Sequence, residues 1–370
     1  MGLNCNPHGV FADQALCAQV SPLRALLTDW MHDELQDGVF AVEMDMFMQA
    51  CEEKINLRPS HLNGFFGADW KFSAAFRVKG TQLKHLFRPR GGDDHAEHLK
   101  FGASELLCAY ALMRHFAAVY LTEKPVIRAE WESFRLACAV IDCYQKVKST
   151  TLRGLSAAAL ETLCSELEAA MQAHVRTHIA TYGDERIKPK HNFRLHVPDQ
   201  IRRIGFLVDA FVLERLNHWV KAKALHVLNT VRFERSILAL LLLEQEHSLR
   251  GRVLGDKLEG PQARCPWLES QLAANEVIVA RRLECGGNAI TVGDMVTKGS
   301  GQIAIGSVKA CAAVDGELVV IVAPLLDLTQ LADKSFSGTA SDNVVVWDAS
   351  GLRHTAAWHW DGLAATCLLP

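Results

Sequence analysis

The sequence predicts an α+β chain: a mainly α-helical N-terminal domain over residues 1–255, a linker at 256–270, and a small C-terminal all-β domain, a barrel or SH3-like unit, over 271–370. Three observations predict it. Up to about residue 255 apolar residues recur at helical spacing. Beyond 270 the pattern changes to short β-branched runs separated by Gly or Asp-Gly turns. Between them, "RGRVLGDKLEGPQARCPWLES" gathers Gly251, Gly255, Gly260, Pro261 and Pro266.

Among the helices, "EHLKFGASELLCAYALMRHFAAVYL" puts Leu99, Leu106, Leu107, Tyr110, Leu112, Met113 and Phe116 on one stripe. "RAEWESFRLACAVIDCYQKVK" ends in Lys146 and Lys148, cations suited to a helix C-terminus. "SAAALETLCSELEAAMQAHVRTHIATYG" starts at Ser156 as N-cap and stops at Gly183. Two prolines make "RIKPKHNFRLHVPDQIRR" an irregular or extended crossing, and a further helical block runs from about Leu207 to Leu249. In the tail, "VIVARRLECGG", "AITVGDMVTKG", "QIAIGSVKACAAV", "ELVVIVAPL", "NVVVWD", "AAWHW" and "AATCLL" predict five to seven strands.

Composition narrows the class. Apolar residues at 49% and charged residues at 22% suit a globular chain with real cores. With 39 basic and 42 acidic residues the net charge is −3, so any nucleic-acid contact must come from a local patch. The longest apolar run, "SILALLLLEQ", is about half the length needed to cross a bilayer, which predicts no membrane partner. The N-terminus lacks a basic segment followed by an apolar core, and Asn6 stands where myristoylation favours Ser or Thr. Eleven cysteines without a C-x-x-C pair read as reduced thiols in an intracellular protein, nuclear or cytoplasmic.

Several constellations carry chemistry, each beside a plainer reading. Asp29 and His32 share one helical face and suit a cation or a proton, but spacing alone favours Thr28 or Asp29 as the cap of an ordinary helix with Trp30, Met31 and Leu35 inward. The most basic stretch clusters Lys188, Lys190, His191, Arg194, His196, Arg202 and Arg203 around Phe193, which suits a phosphate backbone or a solvated crossing loop. Glu214 sits in the apolar segment Phe211 to Leu216, where a carboxylate needs a metal or a partner such as Arg215 or His218. Lys221 and Lys223 follow it. His174 and His178, at i and i+4, have zinc spacing but lack the Glu of H-E-x-x-H, and with His95 and His98 they read as solvated surface. No P-loop, G-x-G-x-x-G after a strand, or G-x-S-x-G occurs.

Taken in order, "DWMHDELQDGVF", a long helical insertion, and "KPKHNFRLHVPDQIRRIGFLVDAFVLERLNHWVK" resemble the distal part of DDE/D-type transposases of the CACTA group, over roughly residues 25–245. That family has an RNase H-like core in which three carboxylates hold two Mg²⁺ ions for strand cleavage and transfer. The resemblance implies a partial core of this kind with a helical insertion, Asp29 as second acid, Glu214 as third, and His32 beside Asp29. Asp29 and Glu214 are then the metal ligands. Lys188, Lys190, His191, Arg194, His196, Arg202, Arg203 and Lys221 would contact DNA. Only Asp13 precedes Asp29 here, on no strand of the family's kind, so the resemblance implies a catalytically incomplete, transposon-derived DNA-binding protein. Mg²⁺-dependent chemistry then requires the first acid from elsewhere. A homo-oligomer fits that expectation. The rival is a non-enzymatic helical scaffold whose β module binds protein or peptide through Trp347, Trp358 and Trp360.

Overall fold

The computed structural model describes residues 27–35, 37–57, 59–67, 70–72, 103–150, 152, 155–210, 220, 235–243, 256–285, 288–299, 303–355 and 357–369. Helices and antiparallel strands both occur, as expected for an α+β chain. The helices are α1 (Val39–Ile55), α2 (Pro59–Phe65), α3 (Ala103–Leu121), α4 (Arg128–Ser149), α5 (Ala157–Tyr182), α6 (Pro189–Phe193), α7 (Val197–Ile204) and α8 (Pro266–Leu272). Residues 235–243 are also helical, and most of the block expected from 207 to 249 lies outside the described residues. Two compact units form: Met1–Phe47 with Glu132–Glu214, and Met48–Trp131 with Arg215–Pro370.

In the first unit the described residues are helices and turns. Ser156 caps α5, its hydroxyl accepting the Ala159 N–H at 3.2 Å, and Gly183 ends it at φ 91°. The buried face of α5 is Cys164, Leu167, Met171, His174 and His178, a single stripe with steps of three and four residues. Arg202 of α7 ties to this helix through Glu161 at 2.9 Å and Glu168 at 3.3 Å. Within α4, Phe134, Cys138, Ile141 and Tyr144 are fully buried at the same spacing. Phe47 stacks on Phe134 at 4.6 Å and Trp30 on Tyr144 at 5.0 Å, which seats the chain around the Asp-x-x-His motif on α4.

In the second unit an 11-stranded sheet runs β1-β13-β14-β10-β9-β8-β4-β3, with β11 on β9, β7 on β8 and β12 on β7. A 3-stranded sheet runs β2-β5-β6. The strands are β1 (Trp70–Phe72), β2 (Lys257–Glu259), β3 (Ala263–Arg264), β4 (Val277–Ala280), β5 (Arg282–Cys285), β6 (Asn288–Thr291) and β7 (Met295–Lys298). Then come β8 (Ala304–Val314), β9 (Glu317–Gln330), β10 (Phe336–Ala340), β11 (Val345–Asp348), β12 (Arg353–His354), β13 (Ala357–Asp361) and β14 (Ala364–Leu368). The expected five to seven strands are too few, because runs that look continuous split. "VIVARRLEC" breaks at Arg281 into β4 and β5, and "AITVGDMVTK" breaks at Gly293, φ 95°, into β6 and β7. Residues 256–270, expected as a linker, carry β2, β3 and the start of α8.

The β8–β9 hairpin turns at Asp315 and Gly316, φ 49° and 89°, the pair of positive φ angles that a two-residue turn in a twisted ribbon requires. Near its other end a Cβ on Gly306 would stand 2.2 Å from Val322 Cγ1, so only glycine lets the two strands approach there. Trp347 packs in one sheet core with Val308, Val320 and Val322, and Trp358 in another with Met295, Phe336 and Cys367. Trp360 is partly buried against the second. These rings serve packing. Of the stripe predicted on α3, Leu106, Tyr110, Leu112, Met113 and Phe116 are buried, Leu107 is half-buried, and Leu99 lies outside the described residues. His115 of α3 meets Asp333 at 2.5 Å, and Trp70 of β1 stacks on His359 at 5.7 Å.

Phe134→Ala should lower stability by about 3–5 kcal/mol, since a ring at zero exposure leaves a cavity that α1 and α4 cannot fill. Chemical denaturation of the full chain reads this as a lower midpoint with an unchanged slope.

Candidate functional site

Three segments far apart in sequence meet in the first unit. A π-helical turn at Met31–Leu35 follows Asp29, and its Trp30, Met31 and Leu35 point inward, as the capped-helix reading requires. Gln200 of α7 clamps the entry to this turn: its amide donates to the Thr28 carbonyl at 2.9 Å, and its Oε1 accepts the Thr28 N–H at 2.6 Å. Asp29 Oδ1 accepts the Met31 N–H at 3.3 Å, a local cap. The same oxygen accepts the N–H of Ala210 at 3.1 Å, across 181 residues. Asp29 Oδ2 pairs with His32 Nδ1. Asp29 therefore caps the turn, as the plainer reading requires, and it also pairs with His32 and holds the remote Ala210 N–H.

The Pro-Lys-His segment supplies the third strand of contacts. Lys190 Nζ donates to the His32 carbonyl at 2.7 Å and the Asp37 carbonyl at 3.1 Å, closing the turn from outside. Burial lowers the Lys190 pKa, with Asp33 and Asp37 opposing. Gly38 completes the loop by close approach, since a Cβ there would lie 2.4 Å from the Asp33 carbonyl oxygen. Asp33 is buried, and its Oδ2 has no hydrogen-bond partner among the described residues. Burial, then the charge of Glu34, pushes its pKa up to about 7.

Behind this face lies a second cluster, all of it buried. Arg194 donates to both oxygens of Glu34, at 3.3 and 3.4 Å, and to His174 Nδ1 at 2.6 Å. An arginine can only donate, so His174 carries its proton on Nε2 and donates it to Glu43 Oε2 at 3.2 Å. His178 Nδ1 lies 2.6 Å from the same oxygen. The Glu43, His174, His178 and Arg194 side chains have no exposed surface. Burial, followed by Arg194, holds His174 down at about 4 and His191 at about 3. Burial pushes Glu43 up, yet the hydrogen bonds from the two histidines outweigh it and hold the carboxyl at about 2. Burial raises Glu34, with Arg194 opposing.

The sequence-predicted residues therefore separate. Asp29 and His32 face each other at the mouth, their side chains 15% and 42% exposed. Arg203 and His196 are exposed and Lys188 half-buried, whereas Lys190 and Arg202 are committed to the contacts described. His191 and Arg194 are buried, so in this fold they are internal partners. Glu214 and Lys221 lie outside the described residues, so of the two expected Mg²⁺ ligands only Asp29 is placed. His95 and His98 lie outside them too. The reading of His174 and His178 as solvated surface is overturned: both are at zero exposure, because they continue the apolar stripe of α5. Glu43 was missed although, with Asp45, it is a carboxylate inside the apolar run Val39, Phe40, Val42, Met44 and Phe47, the signal that marks Glu214.

Asp33 gives a pH test. Its folded pKa is raised, so between about pH 4 and 7 the folded state holds a proton that the unfolded chain has lost, and stability falls as pH rises through that window. Asp33→Asn should remove the decline. By denaturant melts it should be more stable than wild type above pH 7, by up to about 4 kcal/mol, and indistinguishable near pH 4. Parallel curves at all pH values would reject the assignment.

Comparison of the chain with protein-family models, with curated proteins and with solved structures finds no match in any of the three.

Proposed function

We propose that this chain is a transposase-derived, DNA-binding protein whose first unit keeps the layout of a DDE/D-type active site. One observation carries the reading. The three segments on which the resemblance rests, Asp29-x-x-His32, Lys188-Pro-Lys-His191 and the stretch that leads to Glu214, meet at the turn after Asp29: the Ala210 N–H donates to the Asp29 carboxylate and the Lys190 ammonium to the His32 carbonyl. Chance matches to short motifs scattered over 181 residues have no reason to converge on one turn. In this reading the helical segment between them is the insertion of an RNase H-like core, and the C-terminal sheet is the accessory β-barrel domain of such proteins. Asp29 and Glu214 would hold Mg²⁺, which would supply Lewis-acid activation of a phosphodiester. Strand transfer would further require the family's first acid, and duplex binding is the activity proposed for this chain.

The DNA surface would be the accessible part of the basic stretch, the exposed His196 and Arg203 and the half-buried Lys188, with Lys190 and Arg202 at its margin. His32, half-exposed beside Asp29, adjoins it. The scaffold reading has less support, because Trp347 and Trp358 are core residues.

Wild-type protein should bind duplex DNA with an affinity that falls steeply with salt. Lys188→Ala/Arg203→Ala should weaken binding and flatten the slope of log K against log salt by about 2. Absence of binding, or an unchanged slope, rejects the proposal. Any Mg²⁺-dependent nicking should vanish in both Asp29→Ala and Glu214→Ala, and nicking that survives both would remove the active-site assignment.

A further inference from the structure

The buried cluster behind the Asp29 face is not absorbed by that function. Its chemistry poses a charge problem. Arg194 is already matched by Glu34 and donates to His174 Nδ1. Glu43 sits at zero exposure with His174 and His178 against Oε2, and its Oε1 has no hydrogen-bond partner among the described residues. An uncompensated buried carboxylate is costly, so a proton or a cation must sit among these groups.

We propose that Glu43, His174 and His178 form a buried structural site for a divalent transition-metal ion, with Zn²⁺ the best match. One ligand atom from each of the three lies within 4.8 Å of the others. Zinc bonds of about 2.0–2.1 Å in a tetrahedron put neighbouring ligand atoms about 3.3 Å apart. His174 Nε2 and Glu43 Oε2 are already 3.2 Å apart, and His178 Nδ1, at 2.6 Å from that oxygen, needs a modest outward shift. Glu43 Oε1 is buried without a hydrogen-bond partner among the described residues, leaving a second donor on the same carboxylate. Two imidazoles and a carboxylate favour zinc-class ions over Mg²⁺, which prefers oxygen ligands and water.

Occupancy moves each imidazole proton from the nitrogen facing Glu43 to the other one. In His178 that nitrogen, Nε2, has no partner among the described residues and is open to receive it. In His174 it is Nδ1, which Arg194 must release while keeping Glu34. The ion would pin α1 to α5 at the point where Arg194 holds the π-helical turn.

The test uses the full chain, stripped with chelator and titrated with Co²⁺ and Zn²⁺. Co²⁺ should give ligand-field absorption that saturates near one equivalent and is bleached by Zn²⁺, but is unaffected by millimolar Mg²⁺. Glu43→Gln and His178→Gln should weaken Zn²⁺ binding by about a hundredfold or more, while Asp29→Asn should leave it unchanged. A wild-type chain without the Co²⁺ band, or Glu43→Gln binding as tightly as wild type, overturns the site and leaves a proton-sharing network in its place. If the two cluster variants fail to fold, the wild-type Co²⁺ titration decides alone. Loss of binding in Asp29→Asn would instead place the metal at the Asp29 face and also overturn the proposal.

Discussion

The first unit is organised around the guanidinium of Arg194. It has no exposed surface, and it joins groups from three elements: Glu34 on the π-helical turn, His174 on α5, and its own turn after α6. A buried arginine is tolerated only where its donors meet acceptors, and Glu34 supplies the charge. Removing either partner leaves a charge buried alone, so the two residues act as one unit. The consequence reaches beyond the pair. By donating to His174 Nδ1, Arg194 sets the tautomer of that ring, and through it the proton that Glu43 receives. The Asp29 face stands on the same frame, since Glu34 follows His32 by two residues.

The helices were legible in the sequence because their signals are local. Ser156 and Gly183 bound α5, and the cations Lys146 and Lys148 lie in the last turn of α4. Those lysines also find partners, Glu166 at 2.5 Å and Asp209 at 2.6 Å, that no local rule reveals. Strand count was less legible. Breaks such as Arg281, or residues 292–294, are one to three residues long and leave the β-branched composition unchanged, so composition cannot reveal them.

The site was legible in part. Asp29 and His32 were marked by spacing, and the structure gives them both the cap and the remote contacts. His191 and Arg194 carried the right charge for DNA and the wrong location. A basic residue in a Pro-rich crossing looks the same whether it faces water or a buried carboxylate 160 residues away. Glu43 and the histidine pair failed in the opposite sense. Each is polar on an otherwise apolar stripe, and only their coincidence in space explains why burial is tolerated.

The strand Trp70–Phe72 gives the second unit an unusual history. It covers β13 through the register Trp70↔His359 and Phe72↔Ala357, so β13 is sealed by residues made far earlier in the chain. Almost three hundred residues must leave the ribosome before that strand has anything to pair with. Until β1 closes on it, β13 presents an open edge carrying Trp358 and Trp360, a template for another chain. Closing so long a loop is entropically slow but thermodynamically mild, because the cost grows only with the logarithm of its length. The period of exposure, more than the final stability, is what this topology puts at risk.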